Sequence, residues 1–136
     1  DPAKMPVEQG LGGGPRLVRD GKVSVEYEIE GLSRAFAEER HPRTALGYSK
    51  GKRILFLLVV DGRQPGYSVG MKLSELANFM QYRMGDFMVS EENVFQALNL
   101  DGGGSSTMVV GGTVVNMPSD QTGERSVANT FTVTTN

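Results

Sequence analysis

Residues 97–106 read Ala-Leu-Asn-Leu-Asp-Gly-Gly-Gly-Ser-Ser, an apolar run that ends in one aspartate and three glycines. The apolar run is typical of a buried β-strand, and residues 107–110 favour a second strand after it. Glycine leaves room for a ligand to approach the backbone, so the bend between the strands is a candidate site. Four short polar side chains surround this bend, and they belong to Asn99, Asp101, Ser105 and Ser106.

The glycine triplet does not match the common phosphate-binding loops. A Walker loop and the dinucleotide fingerprint both lead into a helix, whereas strand-forming residues follow here. A nucleophile elbow requires glycine two residues after the serine, and Thr107 stands two residues after Ser105. A plain turn, in which Asp101 accepts hydrogen bonds from nearby N–H groups, is the alternative to a ligand site.

Alternating and apolar patterns predict strands in the first half of the chain. Residues 17–29 alternate apolar and polar side chains about the turn Asp20-Gly21, as in a β-hairpin. Residues 44–48 and 54–60 flank a polar turn. The second run is apolar throughout, which predicts a central strand covered on both faces.

Further strands are predicted towards the end of the chain. Gly111-Gly112 is typical of the two-residue loop of a hairpin, here within residues 107–115. Residues 127–133 have the pattern of a last strand.

The period changes to that of a helix over residues 71–84. Apolar residues at positions 73, 76, 77 and 80 follow the spacing i, i+3, i+4, i+7 and form one stripe. Ser90-Glu91-Glu92 suits the start of a second short helix over about 90–97, and Arg34 to Glu39 shows no clear period. The sequence therefore predicts an α+β fold with a mixed or largely antiparallel sheet, one main helix and this second short one.

Composition excludes several classes of function. The chain has 136 residues, enough for one domain with a single core, and a formal net charge of −2. Its basic residues are scattered, which excludes a nucleic-acid partner that would need clustered lysine and arginine. No cysteine is present, and no apolar run is long enough to span a membrane.

Two further polar clusters lie at the ends of predicted strands. His41-Pro42-Arg43-Thr44 precedes one strand and Asp61-Gly62-Arg63 closes another. A capping role for His41, salt bridges for both arginines and a simple turn at Asp61 are the alternatives to catalysis or anion binding. Because strand ends can meet at one edge of a sheet, we expect one shared cleft, lined by Arg43, Asp61, Asp101 and Ser105.

Several motifs occur in a fixed order along the chain. They are Gly12-Gly13-Gly14-Pro15-Arg16-Leu17-Val18, His41-Pro42-Arg43-Thr44-Ala45-Leu46-Gly47, Val60-Asp61-Gly62-Arg63, Gly70-Met71-Lys72-Leu73-Ser74-Glu75-Leu76-Ala77, residues 97–108, Val115-Asn116-Met117-Pro118 and Arg125-Ser126-Val127-Ala128-Asn129. This ordered set resembles that of the phosphodiester glycosidase family over nearly the whole chain.

The resemblance implies hydrolysis of a sugar-1-phosphodiester, of the N-acetylglucosamine-1-phosphate type, at the anomeric carbon. Asp101 is the first expected catalytic carboxylate, Asp61 the second, as base or sugar-hydroxyl anchor, and His41 a weaker acid/base candidate. The residues expected to bind substrate are Arg43, Thr44, Arg63, Asn99, Gly102, Gly103, Gly104, Ser105, Ser106, Arg125 and Asn129. The resemblance calls for no cofactor and leaves a divalent metal open.

Domain organisation and partners also follow from the resemblance. The family domain has an upstream Asn-Gly-Gly-Phe-like motif with no counterpart before Gly12, so residues 1–136 are expected to be the C-terminal part of a larger domain, with 1–15 irregular. The expected partners are a carbohydrate or sugar-phosphate ligand and the N-terminal part of the same domain. An extracellular or cell-envelope location is implied.

Two other functions remain open. A non-catalytic module that binds a glycan or sugar phosphate would need the same cleft without turnover. A serine hydrolase would pair Ser105 or Ser106 with His41, although the spacing matches no local signature of that class.

Overall fold

The structure is a computed structural model that describes residues 10–87 and 92–134. A five-stranded antiparallel sheet has the order β2-β1-β5-β3-β4, and a two-stranded antiparallel sheet pairs β6 with β7. The strands are β1 (Arg16–Arg19), β2 (Lys22–Val23), β3 (Arg43–Ser49), β4 (Leu55–Val60), β5 (Val94–Asn99), β6 (Val109–Val110) and β7 (Thr113–Val114); the helices are α1 (Arg34–Glu38) and α2 (Leu73–Tyr82). Single 3-10 turns span Met84–Phe87 and Gly103–Ser105. The predicted α+β class and antiparallel sheet are confirmed.

Helix α2 packs the predicted apolar stripe against one face of the large sheet. Its side chains at positions 73, 76, 77 and 80 are all buried, in one cluster with Leu17, Val18, Phe56 and Val94. Burying each large apolar side chain contributes about 1.5–3 kcal/mol, so this layer holds the fold together. The helix begins where Glu75 Oε2 accepts the Lys72 N–H at 3.0 Å.

Helix α1 has no counterpart in the sequence pattern. Ser33 Oγ accepts the Phe36 N–H at 3.1 Å and caps the helix, and Ala37 is its one buried residue. Five residues are too few to display a helical period, and this explains why the periodicity missed it.

Both predicted hairpins are present, and both residues of each turn have a positive φ. Asp20 and Gly21 have φ of 51° and 74°, and Gly111 and Gly112 have φ of 57° and 78°. Two successive left-handed residues match the twist of the strands they join. The strand predicted to reach Ile29 is wrong, however: β2 ends at Val23, after which the chain turns, and Ile29 is 82% exposed.

The prediction of a central strand over residues 54–60 is also wrong. Strand β4 lies at the edge of the large sheet and pairs with β3 alone among the described residues. Phe56 is buried, whereas Leu55 and Leu57 on the opposite face are exposed. A continuous apolar run is compatible with a strand that is covered on both faces. It does not determine whether another element packs on each face.

Two more expectations need correction. Residues 94–97 belong to β5, so the short helix over 90–97 is wrong there, while Ser90 and Glu91 lie outside the described residues. Residues 127–133 form no strand, and the apolar side chains of Val127, Phe131 and Val133 are exposed. A segment with a strand-like sequence forms a β-strand only where a neighbouring strand exchanges backbone hydrogen bonds with it. No helix in the described ranges is long and apolar enough to cross a membrane.

Candidate functional site

A cleft of about 220 Å³ lies beyond the end of β5, where the glycine loop meets the segment before β3. Its lining residues are Phe36, His41, Pro42, Arg43, Arg63, Asn99, Asp101, Gly102, Gly103, Gly104 and Arg125. Nine of these eleven are predicted site residues, the exceptions being Phe36 and Pro42. A second depression of about 340 Å³, beside Lys50 and Arg53, contains none of the predicted site residues.

The glycine loop is held against Pro42 by the backbone. Gly103 N–H donates to the Pro42 carbonyl at 2.9 Å, and a Cβ on Gly102 would come within 2.9 Å of the same oxygen. The predicted bend between strands is present, with Asp101 two residues beyond β5. It contains the single 3-10 turn Gly103–Ser105 rather than the start of an α-helix, so it offers no extended helix N-terminus to a phosphate.

Arg43 lies beneath the cleft and is 1% exposed. Its Nε donates to the Met71 carbonyl at 2.8 Å, and its Nη2 donates to the Phe36 and Glu39 carbonyls at 2.8 and 2.9 Å. The Phe36 ring centre is 5.0 Å from Cζ. Burial lowers the pKa of Arg43 to about 10, and the charge of Arg63 adds to this, but the guanidinium remains protonated at neutral pH.

Arg63 lies at the exposed rim and has a left-handed backbone, with φ of 58°. Such a conformation costs a non-glycine residue on the order of 1–2 kcal/mol and is more common at functional sites. Its Nη2 donates to His41 Nδ1 at 3.3 Å, while His41 Nε2 faces Glu39 Oε2 at 3.6 Å. Burial lowers the pKa of His41, and the charges of Arg43 and Arg63 lower it further against the opposing effect of Glu39, so the ring is neutral at pH 7.

Arg125 reaches the cleft from the last part of the chain through a bidentate ion pair. Its Nε and Nη2 donate to the two carboxylate oxygens of Asp120 at 2.8 and 3.0 Å. The pair lies over Gly104, where an added Cβ would be 2.3 Å from Asp120 Oδ1. The hydrogen bond to Asp120 raises the pKa of Arg125.

Asp101 and Asn99 enter the cleft from the end of β5. The Asp101 side chain is exposed, and its Oδ1 accepts the Gly102 N–H at 2.9 Å. Asn99 is 1% exposed, and its Nδ2 donates to the Gly14 and Leu100 carbonyls. Asp101 is the single carboxylate among the described residues that line the cleft.

Asp61 is bonded within a separate part of the structure. Its Oδ1 accepts from Asn116 Nδ2 at 2.9 Å, both of its oxygens lie 3.0 Å from the Met117 amide nitrogen, and Tyr67 Oη donates to Oδ2 at 3.0 Å. It therefore attaches the segment after β7 to the end of β4. The expected grouping holds for Arg43 and Asp101, whereas Asp61 and Ser105 do not line the cleft.

The remaining predicted residues lie beside the cleft or away from it. Thr44 Oγ1 donates to the Oγ of the buried Ser106 at 3.1 Å, which joins β3 to the end of the glycine loop. Asn129 is exposed in an irregular stretch. The recorded side-chain contacts of His41 are with Arg63 and Glu39, so the described residues contain no serine–histidine pair.

The described part of the chain contains no cluster of three or more histidine, aspartate or glutamate residues suited to a metal ion. Three contributors to the site escaped sequence reasoning, namely Phe36, Pro42 and Asp120. Pro42 belongs to the motif His41-Pro42-Arg43-Thr44, whose other three residues are predicted site residues. Phe36 and Asp120 gave no local signal, because their roles depend on contacts with Arg43 and Arg125.

A sequence profile of the phosphodiester glycosidase family matches residues 1–134. The chain belongs to this family. It is 34% identical over 124 residues to N-acetylglucosamine-1-phosphodiester alpha-N-acetylglucosaminidase from Bos taurus, an alignment that covers 85% of this chain and 21% of the relative. The chain thus spans about a fifth of that relative's length.

Two solved structures resemble the fold. One is the zebrafish N-acetylglucosamine-1-phosphodiester alpha-N-acetylglucosaminidase catalytic domain auto-inhibited by its pro-peptide; the TM-score is 0.62, with 34% identity over 79% of this chain and 34% of that chain. The other is a presumed exported protein from Burkholderia pseudomallei, with a TM-score of 0.53 and 46% identity over 65% of this chain and 15% of that chain.

Proposed function

We propose that the protein hydrolyses a sugar-1-phosphodiester at the anomeric carbon, and that the cleft beyond β5 binds the scissile group. The products are a free sugar and a phosphate monoester. The Bos taurus relative is named for N-acetylglucosamine held through a phosphodiester, and we propose this class of sugar here. The alignment covers 34% of the zebrafish chain, and we propose that residues outside this alignment contribute to the complete site.

One observation carries the proposal: within the described part of the chain, two arginines of the cleft have no carboxylate partner. Neither Arg43 nor Arg63 forms an ion pair with an acidic residue in the described ranges. An uncompensated cation at a cleft favours an anionic ligand. A phosphodiester carries one negative charge and presents oxygens that a guanidinium can bind through two donors.

The two arginines are suited to different roles. Arg43 has Nε and Nη2 engaged with three carbonyl oxygens, so it contributes positive charge from beneath the cleft and positions α1. Arg63 has one side-chain hydrogen bond to the described residues, to His41, and its exposed guanidinium is the donor that we assign to the phosphate oxygens.

Asp101 is the residue that we assign to the anomeric carbon. Glycoside cleavage passes through a transition state that resembles an oxocarbenium ion, which a carboxylate can stabilise, attack or supply with an activated water. A phosphate monoester is a weak base, so protonation of the leaving group matters less than it does for an alcohol. Charge complementarity from Arg63 then stabilises the departing phosphate.

A second candidate function is a sugar-phosphate-binding module without turnover. It is favoured by the presence of only one carboxylate, Asp101, among the described lining residues, because most glycosidases use two. We also propose an extracellular or cell-envelope location, supported by the relative that is a presumed exported protein.

The test is release of free sugar by the intact protein from a panel of α-sugar-1-phosphodiesters, with Asp101→Asn as the diagnostic variant. We expect Asp101→Asn to lose on the order of 100-fold or more in turnover with little change in binding, because the positive charge develops mainly in the transition state. Asp20→Asn is the matched control. Wild-type turnover by the folded Asp101→Asn protein would contradict the assignment, and binding without turnover by wild type would favour the module.

A further inference from the structure

The side chain of Asn99 has an unusual division of hydrogen bonds. Its Nδ2 donates to the Gly14 carbonyl at 2.8 Å and to the Leu100 carbonyl at 2.9 Å. Both amide hydrogens are therefore used, and rotating the amide by half a turn would place its oxygen against two carbonyl oxygens. The orientation of the amide is fixed by these two bonds.

The oxygen of the same amide, Asn99 Oδ1, has no hydrogen-bond partner in the described part of the chain. It is also shielded from solvent, because the residue as a whole is 1% exposed. Buried acceptors without partners are rare, because they lose hydration and gain nothing in return. Gln81 and Ser119 also have such oxygens among the described residues, but neither lines the cleft.

The position of Asn99 relates this oxygen to the candidate site. Asn99 is directly opposite Ala45 in the pairing of β5 with β3, so its side chain lies on the same face of the sheet as that of Arg43. Asn99 is also one of the residues lining the cleft, two positions before Asp101. An acceptor of fixed orientation thus lies beside a carboxylate and a buried cation.

We infer that Asn99 Oδ1 is a specificity determinant that accepts one hydrogen bond from the sugar of the bound sugar phosphate. This inference rests on the proposed function and adds the atom and the chemical group that it selects. The group is a donor, either a ring hydroxyl or the acetamido N–H of an N-acetylhexosamine. The other polar side chains of the cleft are less selective for such a donor. Arg43 and Arg63 cannot accept a hydrogen bond, and the exposed Asp101 carboxylate can accept one from water instead.

The fixed amide explains why selection would be strong. A ligand that lacks the donor leaves the buried oxygen unpaired in the complex, whereas one that has it satisfies the oxygen while both Nδ2 hydrogen bonds are kept. Sites that hydrogen-bond a substrate group with a buried acceptor discriminate strongly against analogues without it. We expect loss of the donor to weaken binding about 10- to 100-fold.

The test is calorimetric binding of α-N-acetylglucosamine 1-phosphate, its 3-, 4- and 6-deoxy analogues and α-2-deoxyglucose 1-phosphate, which has no donor at C2, to the intact protein. In wild type, one analogue should bind about 10- to 100-fold more weakly than the parent. If the affected analogue is the 2-deoxyglucose compound and its deficit disappears in Asn99→Ala, the donor is the acetamido N–H. If it is one of the other deoxy compounds, the donor is that hydroxyl. Asn99→Ala should bind parent and analogue with nearly equal affinity.

The selectivity ratio keeps the test independent of folding, because a partly unfolded sample weakens all ligands equally. Asn116→Ala is the control, since both polar atoms of Asn116 are satisfied by protein groups and its loss should not change the ratio. An unchanged ratio in Asn99→Ala would overturn the inference and leave the proposed function standing; a resident water on Oδ1 would give this result. No binding of any probe by wild type would overturn both.

Discussion

Arg63 Nη1 lies 3.0 Å from the position that a Cβ on Gly103 would occupy, so the guanidinium rests directly on the glycine loop. Both residues have a left-handed backbone, with φ of 58° at Arg63 and 61° at Gly103. Two turns that follow different strands therefore meet at one contact. The rim of the cleft depends on a glycine that leaves this space empty.

Gly103→Ala should lower the affinity for a sugar phosphate, whereas its loss of folding stability should only match that of another glycine with a left-handed backbone. The added methyl group displaces Arg63, and the left-handed backbone costs about 1–2 kcal/mol in addition. Gly111→Ala is the matched control, because Gly111 has φ of 57° and open space around its Cβ position. Calorimetric binding and urea unfolding of both variants should show similar losses of stability, with reduced affinity for Gly103→Ala alone.

Substitutions of the two cleft arginines should change different properties. The change at Arg43 should mainly lower folding stability, and the change at Arg63 should mainly weaken phosphate binding. Arg43→Lys removes a guanidinium that holds three carbonyl oxygens, and we expect it to lower the free energy of unfolding by about 2–4 kcal/mol. Arg63→Lys should change stability by less than about 0.5 kcal/mol yet weaken phosphate binding through loss of a bidentate donor. The opposite ranking in urea unfolding would contradict the assignment of Arg43 as the positioning residue.

Asp61→Asn should destabilise the attachment of the segment after β7. The carboxylate accepts hydrogen bonds from Asn116, Met117 and Tyr67, and replacing it with an amide should cost about 1–3 kcal/mol. Asp86→Asn loses only an exposed ion pair with Arg83 and should cost less than about 0.5 kcal/mol. Lost turnover with full stability in Asp61→Asn would instead support its predicted catalytic role.

Acidification should destabilise the protein through His41, the one histidine of the chain. Its pKa is lowered in the folded state by burial and by Arg43 and Arg63, so the unfolded chain binds the proton more readily. Stability is then fully present above the unfolded pKa of about 6.5 and falls as the pH drops towards the lower folded value.

The matched variant is His41→Asn, which retains an acceptor for Arg63 and cannot titrate in this range. Urea unfolding at several pH values between 7.5 and 5.5 should show a decline for wild type that is reduced in the variant. Equal slopes for the two proteins would assign the pH dependence to other groups.

Local patterns determined several features of this protein before any tertiary contact is considered. The spacing of positions 73, 76, 77 and 80 predicted α2 and its buried face, and Asp20-Gly21 and Gly111-Gly112 predicted both hairpins. The succession of an apolar strand, an aspartate and three glycines located the loop that lines the cleft. Period and backbone handedness are properties of neighbouring residues, and so they can be derived from the sequence alone.

Only the tertiary structure decided which polar side chains act together. Asp61 and Asp101 have the same side chain and both follow strands, yet one is bound by Asn116, Met117 and Tyr67 while the other remains exposed at the cleft. The burial of Arg43 beneath α1 and the orientation of the Asn99 amide, whose oxygen has no partner among residues 10–87 and 92–134, likewise depend on distant carbonyl groups. Hydrogen-bond partners and coverage of a sheet face are set by residues far apart in the chain, and no local pattern contains that information.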